Sequence, residues 1–226
     1  MQAIVLAGGF GTRLKAVIKE IPKPMAPIGE KPFLEYILKY LKYQGVCSVI
    51  LSVSYRYEAI QEYFQDNFLG LEILYSIEKE PLGTGGAIKQ ALELANRNPL
   101  FVLNGDTYFD VCLSNLKFEE GSKICLGLKK MKNFERYGCV EINQKGRIEA
   151  FKEKEFRQEG FINGGVYLVD KSLFEGFSLE NKFSFESFLQ NHFKELKASA
   201  RVFEDFFIDI GIPEDYELAK IKMQDF

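Results

Sequence analysis

The 226-residue chain has no tryptophan, a single histidine and only four cysteines. Cys47, Cys112, Cys125 and Cys139 are widely spaced, with no Cys-x-x-Cys pair and only His192 as a histidine partner. That excludes a disulfide framework and leaves the thiols reduced. No apolar run approaches the ~20 residues of a membrane span, and the N-terminus has neither the basic nor the apolar region of a leader, so a cytoplasmic location is the default expectation. Charge of one sign is also missing. Twenty-nine Lys and Arg stand against 32 Asp and Glu, and the net charge of −3 argues against a general nucleic-acid or membrane surface. Any anion site must therefore be local. There is no linker rich in proline, glycine or serine, no internal repeat and no low-complexity tract, which points to one continuous domain.

What is present is an alternation of strand and helix patterns. Gln2 to Ala7, Val46 to Ser54, Leu71 to Ile77 and Leu100 to Asn104 read as buried strands. Between them Phe33, Leu34, Ile37, Leu38 and Leu41 recur at helical spacing, as do Ile60, Tyr63, Phe64 and Phe68, and Ala87, Ile88, Ala91, Leu92 and Ala95. That is the pattern of a parallel α/β sheet, and these stripes should be core. Beyond Asp106 the runs shorten to Ile124–Lys129, Cys139–Ile142, Ile148–Lys152 and Val166–Val169, which suggests a mixed extension of the sheet. Ser184 to Leu196 reads as a helix carrying a structural His192, and Pro213 opens a last helix through Lys222.

The densest chemistry follows the first strand. Gly8, Gly9 and Gly11 can turn backbone N–H groups toward an anion, and Arg13 and Lys23 add positive charge that amides alone cannot supply. Two known phosphate motifs fail here. A dinucleotide fingerprint needs glycine where Leu14 stands, and no Gly-Lys-Ser/Thr of a P-loop occurs in the chain. Glycines alone would also suit a ligand-free strand-to-helix turn. Asp106 closes the run Leu100-Phe-Val-Leu-Asn-Gly-Asp, so it should emerge at the carboxyl end of a central strand, where open α/β sheets bind ligands. Asp209 follows Phe206-Phe-Ile, and the two carboxylates together would make a hard oxygen pocket suited to Mg²⁺.

Leu6-Ala-Gly-Gly9, Gly11-Thr-Arg13 and Pro22-Lys23 resemble the signature of the sugar-1-phosphate nucleotidylyltransferases. Glu80-Pro-Leu-Gly-Thr-Gly-Gly-Ala87, Leu103-Asn-Gly-Asp106, Arg136-Tyr-Gly138, Glu153-Lys154, Asn163-Gly-Gly165 and Ile208-Asp-Ile-Gly-Ile-Pro-Glu-Asp-Tyr216 are similar to the family's later motifs, in its order. Lys15 to Glu20 departs from the family, where a proline and a threonine are common. The wording of Ile21–Ile28 and Phe207–Asp215 is most similar to heptose 1-phosphate guanylyltransferases.

The resemblance implies a Rossmann-like three-layer sandwich of the nucleotide-diphospho-sugar transferase type. It also implies residues 1–110 as a nucleotide-binding lobe and 111–226 as a sugar-phosphate-binding lobe. The implied reaction moves GMP from GTP to D-glycero-α-D-manno-heptose 1-phosphate with Mg²⁺, for surface polysaccharide synthesis. Mannose 1-phosphate or UTP are the alternative substrates, and a catalytically silent regulator is the alternative class. Small molecules, not nucleic acid or membrane, would be its partners, with a homo-oligomer left open. For the nucleotide it implies Leu6, Ala7, Gly8, Gly9, Gly11, Thr12, Arg13, Gly83, Thr84 and Asp106, with Glu80 reading guanine. Gly138, Glu153, Lys154, Asn163 and Gly164 would hold the sugar. Arg13, Lys23 and Asp106 would be catalytic, and Asp106 and Asp209 would hold the metal.

Overall fold

The first apolar run, Gln2–Leu6, is β1 of a computed structural model that describes residues 1–9 and 21–223. After it come a short hairpin of β2 (Pro27–Ile28) and β3 (Lys31–Pro32), then α1 (Phe33–Tyr43), β4 (Ser48–Val53), α2 (Tyr57–Phe64), β5 (Asn67–Phe68), β6 (Leu71–Ile77), α3 (Gly83–Leu92) and β7 (Leu100–Asn104). Strand β1 lies between β4 and β7, parallel to both, and β4 pairs in parallel with β6. The chain thus builds outward from β1 to β4 to β6 and then returns to the other side of β1. That reversal makes a switch point at the carboxyl ends of β1 and β7, where an open α/β sheet leaves a crevice.

Burial explains why these strands read as continuous apolar runs. Every residue of β4 is buried, because helices cover both faces of the sheet. Ala3 and Val5 of β1 face a core shared with α1, whereas Ile4 faces the opposite core with α3 and the phenylalanine-rich α4 (Phe185–His192). Full burial of side chains such as Ile4 and Ile50 contributes about 1.5–3 kcal/mol each. The stripe expected from Ile60 to Phe68 is interrupted: α2 ends at Phe64, Tyr63 is exposed, and Phe68 belongs to β5.

The second half continues the same sheet. After β8 (Thr107–Phe109) come β9 (Ile124–Phe134), β10 (Gly138–Ile142), β11 (Ile148–Lys154) and β12 (Arg157–Val169). Strand β12 runs antiparallel to β7 and β9, with an irregularity between Asn163 and Val166 that kinks the strand beside the crevice. Strand β13 (Ser199–Phe203) adds in parallel to β9, and the sheet numbers ten strands among the described residues. A separate ribbon pairs β8 with β14 (Phe207–Asp209), and α5 (Pro213–Lys222) follows it. His192 packs against Phe177 and Phe188, and all four cysteines are free thiols. No described helix is long and apolar enough to cross a membrane.

Candidate active site

A cavity of about 340 Å³ opens at the carboxyl ends of β1, β4, β6 and β7. Leu6, Gly8 and Gly9 form one wall, and Asn104 and Asp106 another. Ala7 lies buried beneath, its N–H bonded to the Ser52 carbonyl at 2.7 Å. Gly8 leaves room for two side chains. A Cβ there would stand 2.7 Å from Glu78 Oε1 and 3.1 Å from Ser54 Oγ, while the Ser54 hydroxyl donates to the Gly8 carbonyl at 2.6 Å. Gly11, Thr12 and Arg13 lie outside the described residues.

Lys23 begins a 3-10 turn, Lys23–Met25, that carries its side chain into the cavity, where the ammonium pairs directly with Asp106 Oδ2. Asp106 Oδ1 accepts from the Thr107 hydroxyl at 3.2 Å. The β8–β14 ribbon sets Asp209 opposite Thr107, and the Ile210 N–H donates to the Asp106 carbonyl at 2.9 Å, so the backbones of two acidic residues from opposite halves of the chain are brought together. Asp209 Oδ1 accepts from the Gly211 N–H at 2.6 Å, and Oδ2 accepts from the Tyr137 hydroxyl. Arg136 Nη2 stands 3.7 Å from the same oxygen, donates to the Tyr137 oxygen at 2.8 Å and pairs with Asp215 at 2.5 Å. Burial first, and then the neighbouring Asp209, push the Tyr137 phenol well above its ordinary range, so it stays protonated and donating.

The described residues hold no cluster of three or more acidic, histidine or cysteine side chains of the kind that cages a metal. Asp106 and Asp209 alone fit a hard divalent cation that keeps most of its coordination from water or phosphate, which is how Mg²⁺ is commonly held. Lys23 and Asp209 both stand near Gly211: a Cβ there would be 2.6 Å from Asp209 Oδ1 and 3.8 Å from Lys23 Nζ.

A second cavity, of about 350 Å³, lies on the far side of Asp209 and is lined by Gly138, Lys154 and Asn163 together with Tyr137 and Gly211. Asn163 is held in place, donating to the Tyr167 hydroxyl at 2.8 Å and accepting from the Gly165 N–H at 3.1 Å. Glu153 is exposed and outside this lining. Gly164 is buried below it, where a Cβ would stand 2.4 Å from the Phe109 ring, so this glycine serves packing.

The Glu80 to Gly86 segment leads into α3. Glu80 is exposed and does not line the first cavity; the half-buried Glu78 does. Burial raises the Glu78 carboxyl above its ordinary range, although it accepts from the Leu82 N–H at 3.0 Å and lies 3.5 Å from the Ser52 hydroxyl. Gly83 lines the first cavity, and all three glycines make room for protein. A Cβ on Gly83, Gly85 or Gly86 would stand 2.6 Å from the Phe183 carbonyl, 2.2 Å from the Phe183 ring or 2.3 Å from the Asn181 carbonyl. Thr84 lines the cavity but donates its hydroxyl to Glu186 at 2.9 Å and accepts from the Phe185 N–H at 2.8 Å, which ties α3 to α4. The sequence reading leaves out Glu78 and Glu186, and it gives Arg136 and Tyr137 no role although both stand in the Arg136-Tyr-Gly138 motif. The signal for Glu78 was available, since it directly follows a parallel strand, as does the segment bearing Asp106.

The nucleotidyl transferase family matches residues 2–225. A D-glycero-alpha-D-manno-heptose 1-phosphate guanylyltransferase of Campylobacter jejuni is 61% identical over 216 residues, covering 96% of this chain and 97% of that protein. The protein of the same description from Aneurinibacillus thermoaerophilus is 49% identical over the full length of both. The solved structure of HddC from Yersinia pseudotuberculosis complexed with GMP-PN superposes with a TM-score of 0.84 at 37% identity, covering 99% of each chain. With its parallel sheet, its glycine-lined crevice and this full-length kinship, the chain belongs to the nucleotidyl transferase family.

Proposed function

We propose that this protein transfers GMP from GTP to D-glycero-α-D-manno-heptose 1-phosphate, giving GDP-heptose and pyrophosphate. The observation that carries the reading is full-length identity of 61% and 49% to two proteins described as that guanylyltransferase. The two cavities agree with it in type, since Lys23 lines the first, Asp209 lines the second, and both stand near Gly211. Residues 1–110 would carry the nucleotide and 111–226 the sugar phosphate, in the cytoplasm.

An oxygen of the sugar phosphate attacks the α-phosphorus; the new P–O bond forms as the bond to the β-phosphate oxygen breaks, and its electron pair leaves with pyrophosphate. The second pKa of a phosphate ester is about 6, so the nucleophile is already ionised near neutrality and needs no protein base. The protein's task is to align two mutually repelling anions and to set charge where the transition state needs it. Lys23 supplies that charge at the α-phosphate, and Arg13 does so at the leaving pyrophosphate. Asp106 and Asp209 would hold Mg²⁺, which when bound neutralises phosphate charge. Gly8 and Gly9 amides face the nucleotide, and Glu78, more deeply set than Glu80, accepts from the donor edge of guanine. Gly138, Lys154 and Asn163 take the sugar phosphate.

Pyrophosphate release by purified protein with Mg²⁺, each of the four NTPs, and either the heptose or mannose 1-phosphate tests the reading. Release chiefly from GTP with the heptose is expected. Preference for another pair would overturn the substrate assignment, and silence across the panel would overturn the activity.

A further inference from the structure

Both carboxylates assigned to Mg²⁺ already have protein partners. Asp106 is paired with Lys23, whose side chain is only 12% exposed. Asp209 accepts from the Tyr137 hydroxyl on one oxygen and the Gly211 N–H on the other, with the Arg136 guanidinium 3.7 Å away. Arg136 is anchored by Asp215 at 2.5 Å and so stays as a fixed wall beside Asp209. Lys23 has no second carboxylate partner among the described residues, although its ammonium stands close to the Gly211 edge of the neighbouring cavity.

We propose that Lys23 and Tyr137 occupy Asp106 and Asp209 until a nucleotide arrives. The divalent cation then enters with the nucleotide, and Lys23 passes from Asp106 to phosphate. The inference rests on the assignment of Asp106 and Asp209 to the metal made above. The argument is one of competition. An ammonium and a divalent cation seek the same carboxylate, so each weakens the other by the same factor. A bare cation displacing Lys23 would strand that ammonium in a partly desolvated cleft, a loss that offsets most of the gain at Asp106. A triphosphate removes the conflict, because its oxygens take both Lys23 and the remaining coordination positions of the metal. Tyr137 acts likewise at Asp209 with a neutral donor, so its hold should be the weaker of the two.

Mn²⁺, which shares the preference for carboxylate oxygen, is a direct probe. It would be titrated by electron paramagnetic resonance into the full chain without nucleotide, using wild type, Lys23→Ala and Tyr137→Phe. Lys23→Ala should bind Mn²⁺ about tenfold more tightly than wild type and Tyr137→Phe about fivefold, within the usual range of coupling between two ligands. A merely structural role for either side chain would leave binding unchanged or weakened. A gain in one variant alone supports the exchange at that carboxylate and overturns it at the other; no gain in either, including no detectable binding, overturns the proposal. Because the titration contains neither GTP nor sugar, its outcome is separate from that of pyrophosphate release.

Discussion

Glu78 holds a carboxylate oxygen 2.7 Å from where a side chain on Gly8 would begin, so the glycine turn after β1 and the acid after β6 are fitted to each other. If Glu78 accepts from guanine, Glu78→Gln removes a charged acceptor worth about 1.5–3 kcal/mol and lowers kcat/KM for GTP by roughly 10- to 100-fold. Glu80→Gln, at an exposed position outside the cavity, should change it less than twofold. Steady-state kinetics of both variants check this, and the reverse ranking would return the base contact to Glu80.

The same carboxyl carries a stability signature. Burial raises it above its ordinary value of 4.5, so the folded protein holds this proton more tightly than the unfolded chain does. Its contribution to stability is full below the unfolded value and is lost as pH rises past the folded one. Glu78→Gln avoids that loss and should raise Tm near pH 7, by no more than about 2 °C because the group is half-exposed and screened. The gain should fade toward pH 4. Calorimetry at the two pH values decides, and an equal or larger gain at pH 4 would refute the account.

Much of this arrangement is legible in the sequence. The parallel core shows as continuous apolar runs because helices bury both sheet faces, and Asp106 could be found because it ends such a run. The neighbourhood of Asp209 could not, because it depends on a ribbon of two three-residue strands from opposite halves of the chain, too short to leave a periodic signal. Gly83, Gly85 and Gly86 are ambiguous for a related reason, since Gly83 lines the first cavity while all three also crowd protein. Glycine marks a close approach but does not say of what, and here it is Asn181 and Phe183.

That contact predicts a coupled pair. Gly85→Ala gains helix propensity of about 1 kcal/mol but drives a methyl group into the Phe183 ring, 2.2 Å away, and overpacking of this kind costs about 1–3 kcal/mol. The single variant should therefore lose stability in urea, and Gly85→Ala with Phe183→Ala should be more stable than the sum of the two single effects. Strict additivity would mean that the ring does not set the requirement for glycine.

Lys23 and Lys154 should separate in kinetics, because in the proposed reaction the two cations would serve different steps. Lys23 stands beside Asp106 and near Gly211, where in the proposed reaction charge would develop between the α-phosphorus and the incoming oxygen. Losing a donor aimed at such charge costs ~3–4 kcal/mol, so Lys23→Ala should lower kcat by about a hundredfold or more. Lys154 is exposed at the edge of the second cavity and would hold the sugar phosphate as firmly in the ground state as in the transition state. Lys154→Ala should then raise KM for the sugar phosphate about tenfold, with kcat and the KM for GTP little changed. A fall in kcat below fivefold for Lys23→Ala, with the fold intact, would remove that residue from the mechanism. An increase in KM for GTP with Lys154→Ala would move the lysine to the nucleotide side of the site.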